Sequence, residues 1–145
     1  IQVEVGEFTS ATLPDFQHES FGDNLARCQR YYYKHADRRD SLTGGSGDVE
    51  YIIGKGGFNS SSQFEATVHF PCTMRVKPSL VIGSGTNYFK LYVSGTTHTF
   101  DDFALHADHN NAVSLYKSSF SGTQGDAGNM VLNNNSAYVH FNSEL

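Results

Sequence analysis

The sequence predicts an all-β fold: an antiparallel, jelly-roll-like sandwich of two β-sheets with one short helix near its N-terminal end. Its 145 residues suit one domain that is large enough to bury a core. The chain holds 11 Phe, 8 Tyr and 14 Gly, no Trp, and only 17% charged residues. Aromatic residues suit half-buried strands and glycines suit the turns between them, so this composition favours strands over helices.

Short strand-like runs recur along the chain, separated by turns rich in Gly, Asn and Ser, as in sandwiches and barrels. The clearest run is Gln63 to Phe70, in which Phe64, Ala66, Val68 and Phe70 alternate with polar residues. Gly54 to Gly57 lacks the spacing of a phosphate-binding loop and predicts a bulge or kink. The predicted strands cover residues 1–5, 49–58, 63–70, 80–83, 88–93, 98–100, 103–106, 112–116, 130–132 and 137–141.

One segment has the periodicity of a helix. Phe21, Leu25 and Cys28 recur at i, i+4 and i+7, and Ser20 precedes them as a potential N-cap. We therefore predict a helix from about Phe21 to Gln29 that closes one end of the sandwich. Three consecutive tyrosines follow from residue 31, and they favour an extended chain.

The composition also suggests a domain boundary. Residues 1–5 alternate like a strand, and the connection that follows contains Pro14, which a central strand would not tolerate. We interpret residues 1–19 as the end strand and linker of a preceding module, and residues 20–145 as a C-terminal sandwich domain. Ala36 to Asp48 is polar and Gly-rich, which predicts a flexible loop.

Charge and cysteine content disfavour several functional classes. The formal net charge is -5, and basic residues cluster only at Arg27, Arg30, Arg38 and Arg39, so nucleic-acid binding is not expected. No apolar run approaches the ~20 residues of a membrane-spanning helix, so membrane insertion is not expected. The 2 cysteines form no zinc-binding or redox motif, and we expect both thiols to be buried.

No catalytic apparatus is visible in the sequence. Neither a Gly-x-Ser-x-Gly elbow nor a catalytic cysteine signature is present. Asp101 and Asp102 are adjacent, so in an extended chain they would point to opposite faces, unlike the paired carboxylates of a glycosidase. We therefore predict a protein that is not an enzyme and that needs no cofactor.

Four segments, in the same order, resemble the C-terminal domain of phage and prophage tail-fibre proteins, which are receptor-binding and tailspike-like virion proteins. The first is the strand and exit QVEVG (residues 2–6) and ATLPDF (11–16), and the second contains CQRYY (28–32). The third is FPCTMRVKP (70–78) and the fourth is the closing strand YVHFNSEL (138–145). The sequence departs from the family pattern at Asp15, which separates Pro14 from Phe16, and at Cys72, where an aliphatic residue is usual.

The resemblance implies the tip domain of a phage tail fibre, located in the virion and presented as a homotrimer alongside other tail and fibre proteins. Its expected role is attachment to a receptor on the bacterial surface, with a glycan as the expected ligand. Two alternatives remain open. One is a purely structural domain that trimerises or caps the fibre. The other is a lectin-like carbohydrate-binding module of a secreted bacterial protein.

Five of the candidate ligand-binding residues lie in polar segments between the predicted strands, and three, Tyr92, His98 and His106, lie on predicted strands. Sugar sites stack ring faces on aromatic side chains and bond hydroxyls through Asn, Asp and His, and long loops on a β scaffold are where such residues gather. His106 and Asp108 would share a strand face and could hold a metal, but their spacing matches no strong metal motif, so no metal is predicted. We expect packing, not sugar stacking, for Tyr31, Tyr32 and Tyr33. The ligand-binding candidates are Tyr92, His98, Asp101, Asp102, His106, Asp108, Gln124 and Asp126.

Overall fold

The computed structural model describes residues 19–37 and 51–144, which form one short helix and ten strands. The predicted strand at residues 1–5, the linker after it up to residue 18 and residues 38–48 of the predicted loop lie outside the described residues. Ala36 and Asp37, which were predicted to begin that loop, instead belong to a strand. The elements are α1 (Phe21–Gln29), β1 (Tyr32–Asp37), β2 (Ile52–Phe58), β3 (Phe64–His69), β4 (Ser79–Ile82), β5 (Phe89–Val93), β6 (Thr96–Phe100), β7 (Ala104–Asp108), β8 (Ala112–Lys117), β9 (Ala127–Leu132) and β10 (Tyr138–Asn142).

The strands form two sheets, and every pairing between them is antiparallel. The smaller sheet has three strands in the order β1-β10-β4, and the larger has seven in the order β6-β5-β9-β2-β3-β8-β7. The predicted all-β sandwich with one short helix is therefore confirmed. The strands divide unevenly between its sheets.

Alternation along the strands explains the core. In β3 the residues Phe64, Ala66 and Val68 are buried while the intervening side chains are exposed or half-buried, as their pattern predicts. Other members of the same core are the inward side chains of β5 together with Met130, Leu132, Val139 and Phe141 of β9 and β10. Phe141 of the smaller sheet lies edge-on to Phe70, with ring centroids 5.0 Å apart. The core is therefore rich in aromatic rings, which accounts for the unusual content of Phe.

The helix has its predicted bounds but not its predicted packing. Ser20 caps it, because its Oγ accepts the backbone N–H of Asp23 at 3.1 Å. None of its residues is buried, and Phe21 and Leu25 are 82% and 43% exposed. Within the described part of the chain, the apolar face of α1 therefore remains uncovered.

The three tyrosines after the helix have different surroundings. Tyr33 packs against Phe70 and Phe141, as expected from the packing interpretation. Tyr31 lies under the guanidinium of Arg75, with 5.5 Å from the Cζ atom to the ring centroid. Tyr32 is partly exposed and bonds to His140.

A bulge in β2 lies just before the Gly-rich segment in which it was predicted. Register with β9 shifts between Ile52 and Gly54, so the extra residue is Ile53, and residues 54–57 pair with β9 without interruption. A Cβ atom at Gly56 would lie 1.7 Å from the backbone oxygen of Glu65, so β3 can approach β2 only where residue 56 has no side chain.

The expectation of two buried thiols is wrong. Cys28 is exposed and Cys72 is half-buried, and both are free. Cys28 lies on a helix whose apolar face is uncovered, and the thiol of Cys72 points to the backbone oxygen of Ala26 at 3.5 Å.

Candidate functional site

The best-organised polar cluster lies on the outer face of the seven-stranded sheet. Glu65 of β3 and Tyr116 of β8 are cross-strand partners, so their side chains stand side by side on the same face. The pairing of β7 with β8 shifts register between Leu105 and Ala107, at His106. His106 lies beside both partners, with its Nδ1 2.7 Å from Glu65 Oε1 and its ring centroid 5.6 Å from that of Tyr116.

Three donors hold the carboxylate of Glu65 through a single oxygen. Its Oε1 accepts the side-chain amide of Gln63 at 2.8 Å, the amide of Asn59 and the Nδ1 of His106. No donor from the described residues bonds to Oε2. Among the described residues that are not exposed, the sole buried side-chain N or O atom without a partner is His98 Nε2. Glu65 Oε2 also has no partner there, so it is not buried and reaches solvent. Glu65 therefore presents one fixed oxygen at the surface.

A shallow pocket of about 290 Å³ adjoins this cluster where β7 begins and β8 ends. Asp102 and Lys117 form an ion pair at its rim, and Ser119 adopts a positive φ of 73° in the chain that leaves β8. We call this pocket, together with Glu65, His106 and Tyr116, the Tyr116 surface. The pocket is lined by Asp102, Phe103, Ala104, Tyr116, Lys117, Ser118 and Ser119.

The Tyr116 surface combines an aromatic ring, a fixed carboxylate, an imidazole and serine hydroxyls. Aromatic rings stack on the apolar faces of sugars, and carboxylates and hydroxyls bond to sugar hydroxyl groups. This set of groups is suited to binding a polyhydroxylated ligand at the protein surface.

Two of the sequence-predicted site residues, Asp102 and His106, belong to the Tyr116 surface. His98 instead turns toward the core, with its ring centroid 5.2 Å from that of Phe120. Asp101 accepts the backbone N–H of Asn87 at 2.5 Å and so stabilises a turn that has a positive φ. Residues that are close together in this polar segment therefore have different surroundings: Asp102 and His106 belong to the Tyr116 surface, and His98 and Asp101 do not.

The remaining predicted residues lie elsewhere on the sandwich. Asp108 bonds to Lys77 at 3.4 Å, so it and His106 have different partners despite their spacing. Tyr92 is on the outer face of β5, where the ammonium of Lys90 lies 5.3 Å from its ring centroid. Gln124 and Asp126 are part of a tight turn in which the Asp126 N–H donates to the backbone oxygen of Thr123. Ligand contact at these positions stays a prediction.

Sequence reasoning missed Glu65, Tyr116 and Lys117. Glu65 is one polar residue in an alternating strand, and nothing local to it indicates that β8 would be its neighbour. The pairing of β3 with β8 spans more than forty residues, from Phe64 opposite Lys117 to His69 opposite Ala112. A register shift then brings in His106, and such shifts leave no clear sequence signal at this position.

A second polar cluster lies in the smaller sheet, and its centre, the contact between Asp37 and His140, is buried. His140 Nδ1 is 2.5 Å from Tyr32 Oη, and its Nε2 is 3.2 Å from Asp37 Oδ2, which also pairs with Lys34. Asp37 and His140 are only 7% and 5% exposed. The cluster joins β1 to the central strand β10, and its burial suits a structural task.

His35 is a partly buried imidazole in the same region. Its Nε2 donates to the backbone oxygen of Ile53 at 2.6 Å and so connects β1 with β2 of the other sheet. Burial lowers the pKa of His35 below its ordinary value, although the bond to Ile53 opposes that shift.

A second surface cavity lies beside the helix. Its volume is about 490 Å³, and its lining includes Phe21, Leu25 and Cys28 together with the polar residues Glu19 and Asn24. Its apolar residues are those of the uncovered helix face, so this region is suited to contact with another surface.

The described residues contain no metal-binding group of side chains and no membrane-spanning helix. No three or more His, Cys, Asp or Glu side chains among them are grouped so as to hold a metal ion. The helix described above is neither long nor apolar enough to cross a membrane. Comparison of the chain with models of protein families, with curated proteins and with solved structures found no match in any of the three.

Proposed function

We propose that this chain is a non-catalytic receptor-binding domain of a phage tail fibre, which attaches the virion to a glycan on the bacterial surface. The four ordered sequence segments support the tail-fibre origin. The Tyr116 surface carries the binding proposal, because it places a fixed carboxylate beside an aromatic ring and a pocket lined by hydroxyls.

The arrangement favours binding over bond cleavage. A glycosidase uses two carboxyl groups that face each other across the scissile bond. Glu65 instead bonds to His106 and two amides, and Asp102 pairs with Lys117. The acids of this surface are therefore engaged as acceptors for neighbouring donors, which suits a rigid recognition surface.

Binding to an array of bacterial surface polysaccharides tests the proposal, with the oligomeric state measured by light scattering on the same sample. We expect saturable binding to one class of glycan that weakens about tenfold or more in Tyr116→Ala, equivalent to roughly 1.4 kcal/mol. Tyr31→Ala is the matched control, because Tyr31 is also partly exposed but lies near the helix. Equal binding by the wild-type chain and Tyr116→Ala would contradict the assignment of this surface.

The uncovered face of α1 favours a second function, a structural domain that trimerises or caps the fibre. Exposed apolar side chains such as Phe21 mark interaction surfaces when they are grouped, as they are here with Leu25. A stable trimer that binds no glycan and dissociates on Phe21→Ser would favour this function. A monomer that binds glycan would instead favour a lectin-like module of a secreted bacterial protein.

A further inference from the structure

We infer that Glu65 and His106 form a subsite that selects ligands by their hydrogen-bond donors. It would accept hydrogen-bond donors from a neutral or amino sugar and reject acidic sugars. This inference rests on the proposed glycan-binding function and adds to it the chemical class of the glycan.

The hydrogen bond between the two residues fixes which atoms are left for a ligand. An ionised carboxylate only accepts hydrogen bonds, so the Nδ1 of His106 must carry the proton in its 2.7 Å contact with Glu65 Oε1. In the neutral imidazole, Nε2 then holds the lone pair and acts as an acceptor. The side chain of His106 is 55% exposed, so a ligand can approach its ring.

Glu65 supplies the second acceptor. Its Oε2 reaches solvent and has no donor from the described residues, whereas Oε1 already accepts from three donors. Glu65 and His106 therefore present two separate acceptors, because Nε2 lies on the side of the imidazole ring away from the Nδ1 that bonds to Glu65, and they present no open donor of their own.

The position of Glu65 Oε2 is set before any ligand arrives. The amides of Asn59 and Gln63 come from the connection between β2 and β3, where the Asn59 N–H also donates to the backbone oxygen of Gln63 at 3.1 Å. A ligand does not have to immobilise this carboxylate, so little side-chain entropy is lost on binding.

Two separate acceptors beside an aromatic ring match a sugar that carries several donors. A hydroxyl or ammonium group can donate to Glu65 Oε2, and a hydroxyl elsewhere on the ligand can donate to His106 Nε2, while the sugar ring lies near Tyr116. A uronic acid or sulfated sugar would bring an anion to the carboxylate of Glu65 and would find no donor there. The charge of Lys117 does not offset the repulsion between such an anion and Glu65, because Lys117 already pairs with Asp102.

The test is a calorimetric titration of the full chain at pH 8 with neutral, amino and uronic-acid oligosaccharides. We expect the wild type to bind the neutral or amino class at least about tenfold more tightly than the acidic class. Glu65→Gln should lose most of this preference, since an amide can present a donor where the carboxylate presented an acceptor. Asp108→Asn is the matched control, because it also removes one surface carboxylate but belongs to the pair with Lys77.

Each outcome bears on a different claim. A preference for acidic sugars, or an unchanged preference in Glu65→Gln, would overturn the subsite while leaving glycan binding intact. Failure of the wild type to bind any of the three classes would overturn the proposed function and the subsite together. Nitrogen-15 NMR of His106 gives an independent readout, because the inferred form carries its proton on Nδ1 and its lone pair on Nε2. A proton found on Nε2 instead would also overturn the subsite.

Discussion

Replacement of Phe141 by Ala should cost more stability than most single changes in this domain. The side chain is fully buried in β10, and its ring contacts those of Phe70, Tyr33 and His35 at centroid distances of 5.0, 6.5 and 5.9 Å. Truncation of a buried Phe to Ala costs about 3–5 kcal/mol, because apolar contact is lost and a cavity remains. We expect a loss of about 4 kcal/mol, which lowers the folding equilibrium constant roughly a thousandfold.

Urea denaturation followed by far-ultraviolet circular dichroism measures this loss. With an m value of about 2 kcal/mol/M, the midpoint should fall by about 2 M while m stays constant. Phe21→Ala is the control, since that side chain is 82% exposed and its loss should move the midpoint by less than about 0.25 M. A shift below about 0.5 M for Phe141→Ala would refute the reasoning, because it would mean that the smaller sheet does not unfold with the larger one.

Three further predictions follow from local geometry. Gly56→Ala should prevent normal pairing of β2 and β3 and greatly reduce the yield of folded protein. Gly22→Ala, in which the new Cβ meets only one atom at 4.0 Å, should instead raise the free energy of unfolding by about 0.5–1 kcal/mol. Comparable urea midpoints for the two variants would contradict this. The pKa of His35 is lowered in the folded state from its ordinary value of 6.5, so below about pH 6.5 the unfolded state binds more protons than the folded state. The contribution of His35 to the free energy of unfolding should therefore be fully present above that pH and should decrease as the pH falls. His35→Gln should show a shallower loss between pH 7 and pH 5 in urea titrations, and an identical pH dependence would exclude this role. Cys28 and Cys72 should both react with a thiol reagent without denaturant, Cys28 faster, and protection of both thiols in the native protein would contradict their exposure.

The parts of the fold that depend on local pattern were predictable. Alternation from Gln63 to Phe70 correctly identified the buried face of β3, and the i, i+4, i+7 spacing after Ser20 correctly placed α1. The exposure of the apolar face of that helix was not predictable, because amphipathic spacing shows which face is apolar without showing whether another element covers it.

The order of the strands was not predictable for a different reason. β9 lies between β5 and β2, so two of the central pairings of the larger sheet join segments far apart in sequence. Such pairings are decided by the packing of the whole core, which no short window of sequence contains.

The candidate site was predictable only in part. The sequence drew attention to Asp102 and His106 because they lie in a segment dense in Asp and His. It gave no reason to choose Glu65 or Tyr116, whose importance depends on being opposite each other across two strands. It also suggested His98, which the structure turns toward Phe120, because a histidine in a polar segment looks the same in sequence whether it faces solvent or the core.

The central position of β10 in the smaller sheet has a consequence for biosynthesis. β1 and β4 have no pairing with each other and both bond to β10, the last of the ten described strands. At translation rates of about 5–20 residues per second, β1 waits roughly 5–20 s for a partner that is synthesised about a hundred residues later. During that interval the nascent chain exposes Tyr33 and Phe70, which would ordinarily pack against Phe141. Chaperones and lower growth temperatures should therefore improve recovery of the protein during expression.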